Sequence, residues 1–309
     1  MSWIGGLAGS RVRVVCGPTA AGKSAIATGL ALEYGAAIVS ADSRQIYRGF
    51  DIGTAKPDWS ELKAVDHVGI DVADPRERFS ASRWAEMALD AIAVLREREM
   101  PPLVTGGTGF YIRALFDPLF VAPELDEGRR RALEHFLNPL PIAALRQWCS
   151  ALDPSRAHLG RYQLIRAVEI ALLAGRRISE LHARRGPAAV LSPVYLLVDP
   201  GAGLARRIEA RVESMIERGW LDEVRLLDSQ LPDDAPAWKS SGYRVMRSVA
   251  RGEVELSAAR ERIIIETRQY AKRQRTWFRH QLGDAPVTRV NPDAPDCQAA
   301  VQRWWKETS

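Results

Sequence analysis

Short apolar runs alternate with amphipathic stretches along the first third of the chain. Val12-Arg13-Val14-Val15-Cys16 reads as a strand, because an apolar run of this length next to turn residues suits a strand covered on both faces. Gly22–Tyr34 reads as a helix, and Ala36–Ser40 as a second strand. The polar stretch Ala41–Pro57 reads as a loop with short helical pieces. Ala81–Arg98 places Trp84, Ala88, Leu89, Ile92 and Leu95 at helical spacing and stops before Pro101-Pro102. Leu103–Thr105 is a third strand and Phe110–Phe116 a further helix. This alternation predicts βαβ units and a parallel sheet.

The pattern then changes. Between Pro118 and Pro193 no strand-like run of length occurs; Glu127–Leu137, Ile142–Leu152 and Tyr162–Leu173 read as helices separated by Pro and Gly. Residues 118–190 are therefore expected to form an all-helical insertion in a discontinuous core made of 1–117 and 191–309. Val194–Val198 returns as a core strand. Helices follow at Leu204–Arg218, Leu221–Asp228, Gly242–Ala250 and Ser257–Gln281, then a strand at Val287–Val290 and a terminal helix.

Composition narrows the setting. The 309 residues can bury a large core, and 46% hydrophobic with 26% charged is ordinary for a soluble protein. No apolar stretch approaches the ~20 residues that span a bilayer. The apolar start lacks a basic leader, so no signal peptide is expected. Three scattered cysteines, Cys16, Cys149 and Cys297, argue against disulfides or zinc and suit a reducing cytoplasm. No element suggests a dimer, so a monomer is expected. The net charge is only +5, but Lys239–His280 holds eleven Lys/Arg against four Asp/Glu. Within it, Arg268–His280 interleaves bases with aromatics, a pattern that suits nucleic acid and equally a solvated helix face.

The chemistry starts at Gly17-Pro18-Thr19-Ala20-Ala21-Gly22-Lys23-Ser24, a GxxxxGK[ST] loop between strand and helix. Its backbone N–H groups and the helix N-terminus suit an anion, Lys23 adds charge, and the Ser24 hydroxyl can ligate Mg²⁺. The expected fold is thus α/β, a P-loop NTPase-like parallel sheet flanked by helices. Strand two delivers Asp42 to the sheet edge where ligands bind, as a base, a Mg²⁺ ligand or a turn cap. Gln45, beside Ser43 and Arg44, can hydrogen-bond an adenine edge. Gly106-Gly107-Thr108-Gly109 makes a second anion-friendly turn, with Thr108 as a hydroxyl donor. Arg207 and Arg211 share one helix face, where they can clamp a polyphosphate or simply pair with Glu209 or Glu213. His67 reads as structural.

Taken together, seven ordered blocks over residues 12–280 resemble the tRNA dimethylallyltransferases. They are Gly17–Ser24, Ser40–Tyr47, Asp51–Pro57, Gly106–Ile112, Arg207–Val212, Gly242–Arg244 and Thr267–Gln274. The resemblance implies transfer of a dimethylallyl group from its diphosphate to N6 of the adenosine 3′ of the tRNA anticodon. It implies Asp42 as general base, with Thr108 and Arg211 in the catalytic set. Gly17–Ser24, Arg207 and Mg²⁺ would hold the diphosphate. The anticodon arm would meet Ser43, Arg44, Gln45, Arg130, Tyr162, Gln163, Arg166, Lys239, Gly242, Tyr243, Arg244, Arg268, Lys272, Arg273 and Gln274. One stretch departs from the family pattern. Where Asn-Asp-x-x-Arg is usual, this chain has Leu159-Gly160-Arg161-Tyr162-Gln163, with Gln163 in the arginine's place. The zinc-finger extension of eukaryotic members is absent, as in bacterial-type enzymes.

Three other functions compete. The phosphate loop alone suggests a nucleoside or shikimate-like kinase, which seldom needs a helical insertion or a basic helix. A prenyltransferase acting on free adenine nucleotides would not need Thr267–Gln274. A non-catalytic RNA-binding protein would leave Lys23 and Asp42 idle.

Overall fold

The computed structural model describes residues 9–117, 123, 125–183 and 191–308. Its backbone divides into two compact units, Met1–Phe116 with Ala189–Ser309, and Asp117–Ala188.

The larger unit is built on six parallel strands in the order β3-β2-β4-β1-β5-β6. In chain order they start with β1 (Ser10–Cys16), α1 (Lys23–Tyr34), β2 (Ala37–Ser40), α2 (Trp59–Ala64), β3 (His67–Val68), α3 (Ala81–Glu97), β4 (Pro102–Gly106) and α4 (Gly109–Phe116). β1 lies between β4 and β5, with Val15 opposite Thr105 on one side and Leu196 on the other. Because helices cover both faces, Val12, Val14, Val15 and Cys16 are all buried, which explains the apolar run, while Arg13 within it donates to Thr308 and the Trp305 carbonyl. The α2–β3 segment was not read from the sequence. Its signal is a capping box, Asp58 to Glu61, whose two ends hydrogen-bond each other's backbone.

The chain re-enters this unit at β5 (Leu191–Val198 in full). The smaller unit before it holds α5 (Glu127–Leu137), α6 (Ile142–Leu152), α7 (Arg161–Ala174) and α8 (Ile178–Ala183). Leu137, Leu145, Cys149, Leu164 and Val168 form its core. α8 was also missed; it is short, and its first turn is tied to the end of α6 by buried Asp153, which accepts from Ser179 N–H (3.0 Å) and Oγ (2.7 Å).

After β5 come α9 (Leu204–Glu217), α10 (Trp220–Gln230), α11 (Tyr243–Ala250), α12 (Leu256–His280), β6 (Val287–Val290) and α13 (Cys297–Glu307). The last helix seals the sheet: Trp304 and Trp305 join Leu30, Ile38 and Val198 in one core, and Tyr34 stacks on Trp305 at 4.9 Å. The carboxyl ends of β1, β2 and β4 therefore emerge side by side, and their loops share one cavity.

Candidate active site

The cavity measures about 520 Å³ and lies wholly within the larger unit. The Thr19–Ser24 stretch of the phosphate loop forms one wall. Its turn needs Gly22, which sits in the left-handed region at φ 94° and ends α1 at its N-terminus. Arg207 packs directly against it: a Cβ on Gly22 would lie 3.3 Å from the guanidinium. Arg207 in turn binds Asp293, at 2.5 Å to Oδ1 and 3.4 Å to Oδ2, so it stands beside the loop as a held cation. Asp293, from the segment after β6, was not expected from the sequence.

Lys23 donates to Pro18 O at 2.7 Å, and no carboxylate pairs with it among the described residues. Burial lowers its pKa to about 8; Arg211 pushes the same way, while Asp42 and Cys16 oppose. Burial also lowers Arg211, again opposed by Asp42. Two cations and one carboxylate thus sense each other across the same space. Arg211 donates to the Thr54 carbonyl at 3.3 Å, a partner no side-chain motif could reveal. That loop is held from two sides. Glu223 accepts from the backbone of Asp51 (3.0 Å) and Ile52 (2.6 Å). Buried Lys56 donates to Asp51 Oδ1 (2.6 Å) and Asp71 Oδ1 (2.5 Å). Lys56 belongs to the Asp51–Pro57 block, whereas Glu223 has no local signal in the sequence.

Asp42 leaves β2 into the cavity. Its Oδ1 accepts from Arg44 N–H (2.8 Å) and, weakly, Gln45 N–H (3.4 Å); no described hydrogen bond uses Oδ2. The turn-cap role and a free carboxylate oxygen therefore coexist. Thr108, at the second glycine turn, accepts from Ser43 N–H at 3.0 Å, which brings the β2 and β4 loops together. Gln45 spends its amide on Ala55 O (2.9 Å) and Ser40 Oγ (3.2 Å). His67 donates from Nδ1 to Val65 O at 2.8 Å and plays a structural part.

The structure redistributes several residues expected at RNA. Gln274 is buried and bridges two loops: its Oε1 accepts from Thr19 N–H and its Nε2 donates to Gly107 O, both at 2.8 Å. Gly242 and Tyr243 are interior as well, and the Tyr243 hydroxyl donates to Glu223 at 2.6 Å. In the helical unit, Arg130 and Arg166 both turn to buried Glu169, at 3.6 and 3.2 Å. Arg268 is drawn to Glu209. By contrast Lys239, Arg244, Lys272 and Arg273 are exposed in one unit, as are Tyr162 and Gln163 in the other. Gln269, Lys272, Arg273 and Thr276 form a single outward stripe on α12.

Residues 45–281 match the model of the IPP transferase family. The chain belongs to that family. A tRNA dimethylallyltransferase of an Anaeromyxobacter species is 41% identical over 280 residues, covering 89% of this chain and 93% of the relative. The solved tRNA isopentenylpyrophosphate transferase of Bacillus halodurans is 31% identical, covers 96% of this chain and 99% of its own, and superposes with a TM-score of 0.66. A eukaryotic dimethylallyltransferase caught acting on tRNA shares the fold, at 24% identity, with 95% of this chain and 77% of that one covered and a TM-score of 0.77. The family-wide P-loop NTPase-like sheet is the one described above. This member of a prenyltransferase family carries no helix, among its described residues, long and apolar enough to cross a membrane.

Proposed function

We propose that this chain transfers a dimethylallyl group from dimethylallyl diphosphate to N6 of the adenosine 3′-adjacent to the tRNA anticodon. The observation that carries the reading is one cavity lined by the phosphate loop, Arg211 and Asp42. A kinase would use the same loop and a carboxylate base, but it seldom needs the helical insertion or the basic α12 that this chain carries.

In the reaction, the N6 lone pair attacks the allylic carbon as the bond to diphosphate breaks. Negative charge grows on the departing diphosphate, so Lys23, Arg211, Arg207 and the loop N–H groups stabilise the transition state more than the ground state. The N6 proton passes to Asp42, which offsets the weak nucleophilicity of an exocyclic amine. The target base reaches this cavity only by leaving its stack.

No cluster of three or more His, Cys, Asp or Glu able to hold a metal occurs among the described residues. Mg²⁺ fits the site nonetheless, because it is commonly bound by one or two protein oxygens plus substrate phosphates. Ser24, in the first turn of α1 and lining the cavity, would be its protein ligand. Bound there, the ion would supply charge neutralisation to the leaving diphosphate.

The exposed Lys239, Arg244, Lys272 and Arg273 supply backbone contacts to the anticodon arm, and Tyr162 and Gln163 of the helical unit supply others. Incubation with labelled dimethylallyl diphosphate, Mg²⁺ and unmodified tRNA tests the reading. Label is expected on N6 of a single adenosine after nucleoside analysis. ATP consumption without such label would overturn it.

A further inference from the structure

We propose that Gln274 is a positioning residue, a strut that sets the gap between the phosphate loop and the Gly106–Gly109 turn. The inference rests on the prenyl-transfer reading of the cavity.

The two loops approach each other from neighbouring strands, β1 and β4. Each must be placed separately, since one holds the leaving group and the other carries Thr108, which joins the Asp42 side through Ser43. Gln274 spans them with both ends of one amide. Its acceptor takes Thr19 N–H and its donor meets Gly107 O, each at 2.8 Å. The residue is 7% exposed, and its bond to Gly107 O is buried. The fit leaves no slack: a Cβ on Gly107 would lie 2.5 Å from Gln274 Nε2. One turn earlier on α12, Tyr270 lies close to Thr108, so the same helix borders the second loop at two places.

The amide is suited to this task because it offers one donor and one acceptor at fixed separation. A charged side chain here would add an uncompensated charge beside the diphosphate, and an apolar one would orphan two backbone groups. Reacting groups held in register gain most of their rate from orientation, so a shift of about 1 Å between the loops costs up to ~100-fold. Gln274 borders the cavity, and in this proposal it acts through the two loops it joins. Its neighbours Lys272 and Arg273 point outward from the same helix. The sequence block thus carries two jobs on two faces.

Gln274→Met tests this, because it keeps the volume and removes both hydrogen bonds. The expected result is kcat lower by about 10- to 100-fold, with the dissociation constant for tRNA unchanged. Lys272→Ala gives the opposite pattern, weaker tRNA binding. A Gln274→Met enzyme that keeps its kcat, or that loses tRNA affinity with kcat intact, overturns the strut. Gln274→Asn serves as a second variant that retains the amide but is too short to span the gap; it is expected to match Gln274→Met, and wild-type kcat in it counts against the proposal. Calorimetric binding of Mg²⁺-pyrophosphate separates this from the function itself. Should the wild type transfer no prenyl group, weaker pyrophosphate binding by Gln274→Met still supports the strut, and equal binding refutes it.

Discussion

The cavity and the helical unit use arginine and lysine in opposite ways. In the cavity, Lys23 has only a carbonyl partner among the described residues, and Arg211 bonds a carbonyl while Asp42 stands nearby. In the helical unit, Arg130 and Arg166 close on buried Glu169. Burial raises the Glu169 pKa, and the two arginines pull it back. Lys23 and Arg211 stay under-neutralised, which costs stability and leaves them ready for an anion, while Arg207 and Lys56 at the same cavity are held by carboxylates. In the helical unit, Arg130 and Arg166 are neutralised internally, which fixes the packing of α5 on α7. A basic residue in a tRNA-binding protein is therefore not by itself an RNA contact.

The largest test of this contrast is Asp42→Ala. Removing the base is expected to lower kcat by about 10²–10⁴-fold while tRNA binding persists, read in single-turnover assays with a gel-shift control. Lys23→Met is next: activity falls by about 10²–10³-fold. Because a lysine depressed to about 8 is disfavoured as a cation in the folded state, the same variant is expected to melt higher at pH 7. The cost is present in full below pH 8, and it fades as pH rises toward the ordinary lysine value, where the unfolded chain also loses its proton.

The same group predicts a pH profile. kcat/KM for the diphosphate should fall as pH rises through about 8, when Lys23 loses its charge in the free enzyme. Lys23→Arg, whose charge persists, should lose that limb; a limb that remains assigns it elsewhere.

On the other side of the comparison, Glu169→Ala is expected to destabilise the helical unit by about 1–3 kcal/mol, seen in denaturant unfolding. Catalysis at saturating tRNA should change far less than for Asp42→Ala. The smallest effect is expected for Arg273→Ala. It should weaken tRNA binding modestly and reduce the salt slope by about 1, the mark of a single phosphate contact. An unchanged slope would place Arg273 outside the RNA interface.

The strands and long helices were legible because burial on both faces leaves apolar runs, and burial on one face leaves a helical period. The phosphate loop, Asp42 and Thr108 stand out in the sequence because the proposed chemistry needs those residue types at those places. Gln274, Gly242, Tyr243, Arg130 and Arg166 are expected at RNA, and in the structure they meet other groups of the protein. A block shows that a residue matters, while its direction depends on which helix face the rest of the chain covers. Glu223 and Asp293 were not legible at all. Each acts on residues far away in sequence, Glu223 on the backbone of residues 51–52 and Asp293 on Arg207. Nothing local marks such a partner.

Periodicity and motif spacing are local properties, so the parallel α/β core, the inserted helices and the family to which the chain belongs can be read along the chain. Which cations face the cavity, which are spent on carboxylates, and that the Gln274 amide joins two loops emerge from the fold. Those outcomes depend on which groups meet across the fold, and burial makes each unmatched polar group too costly to leave alone.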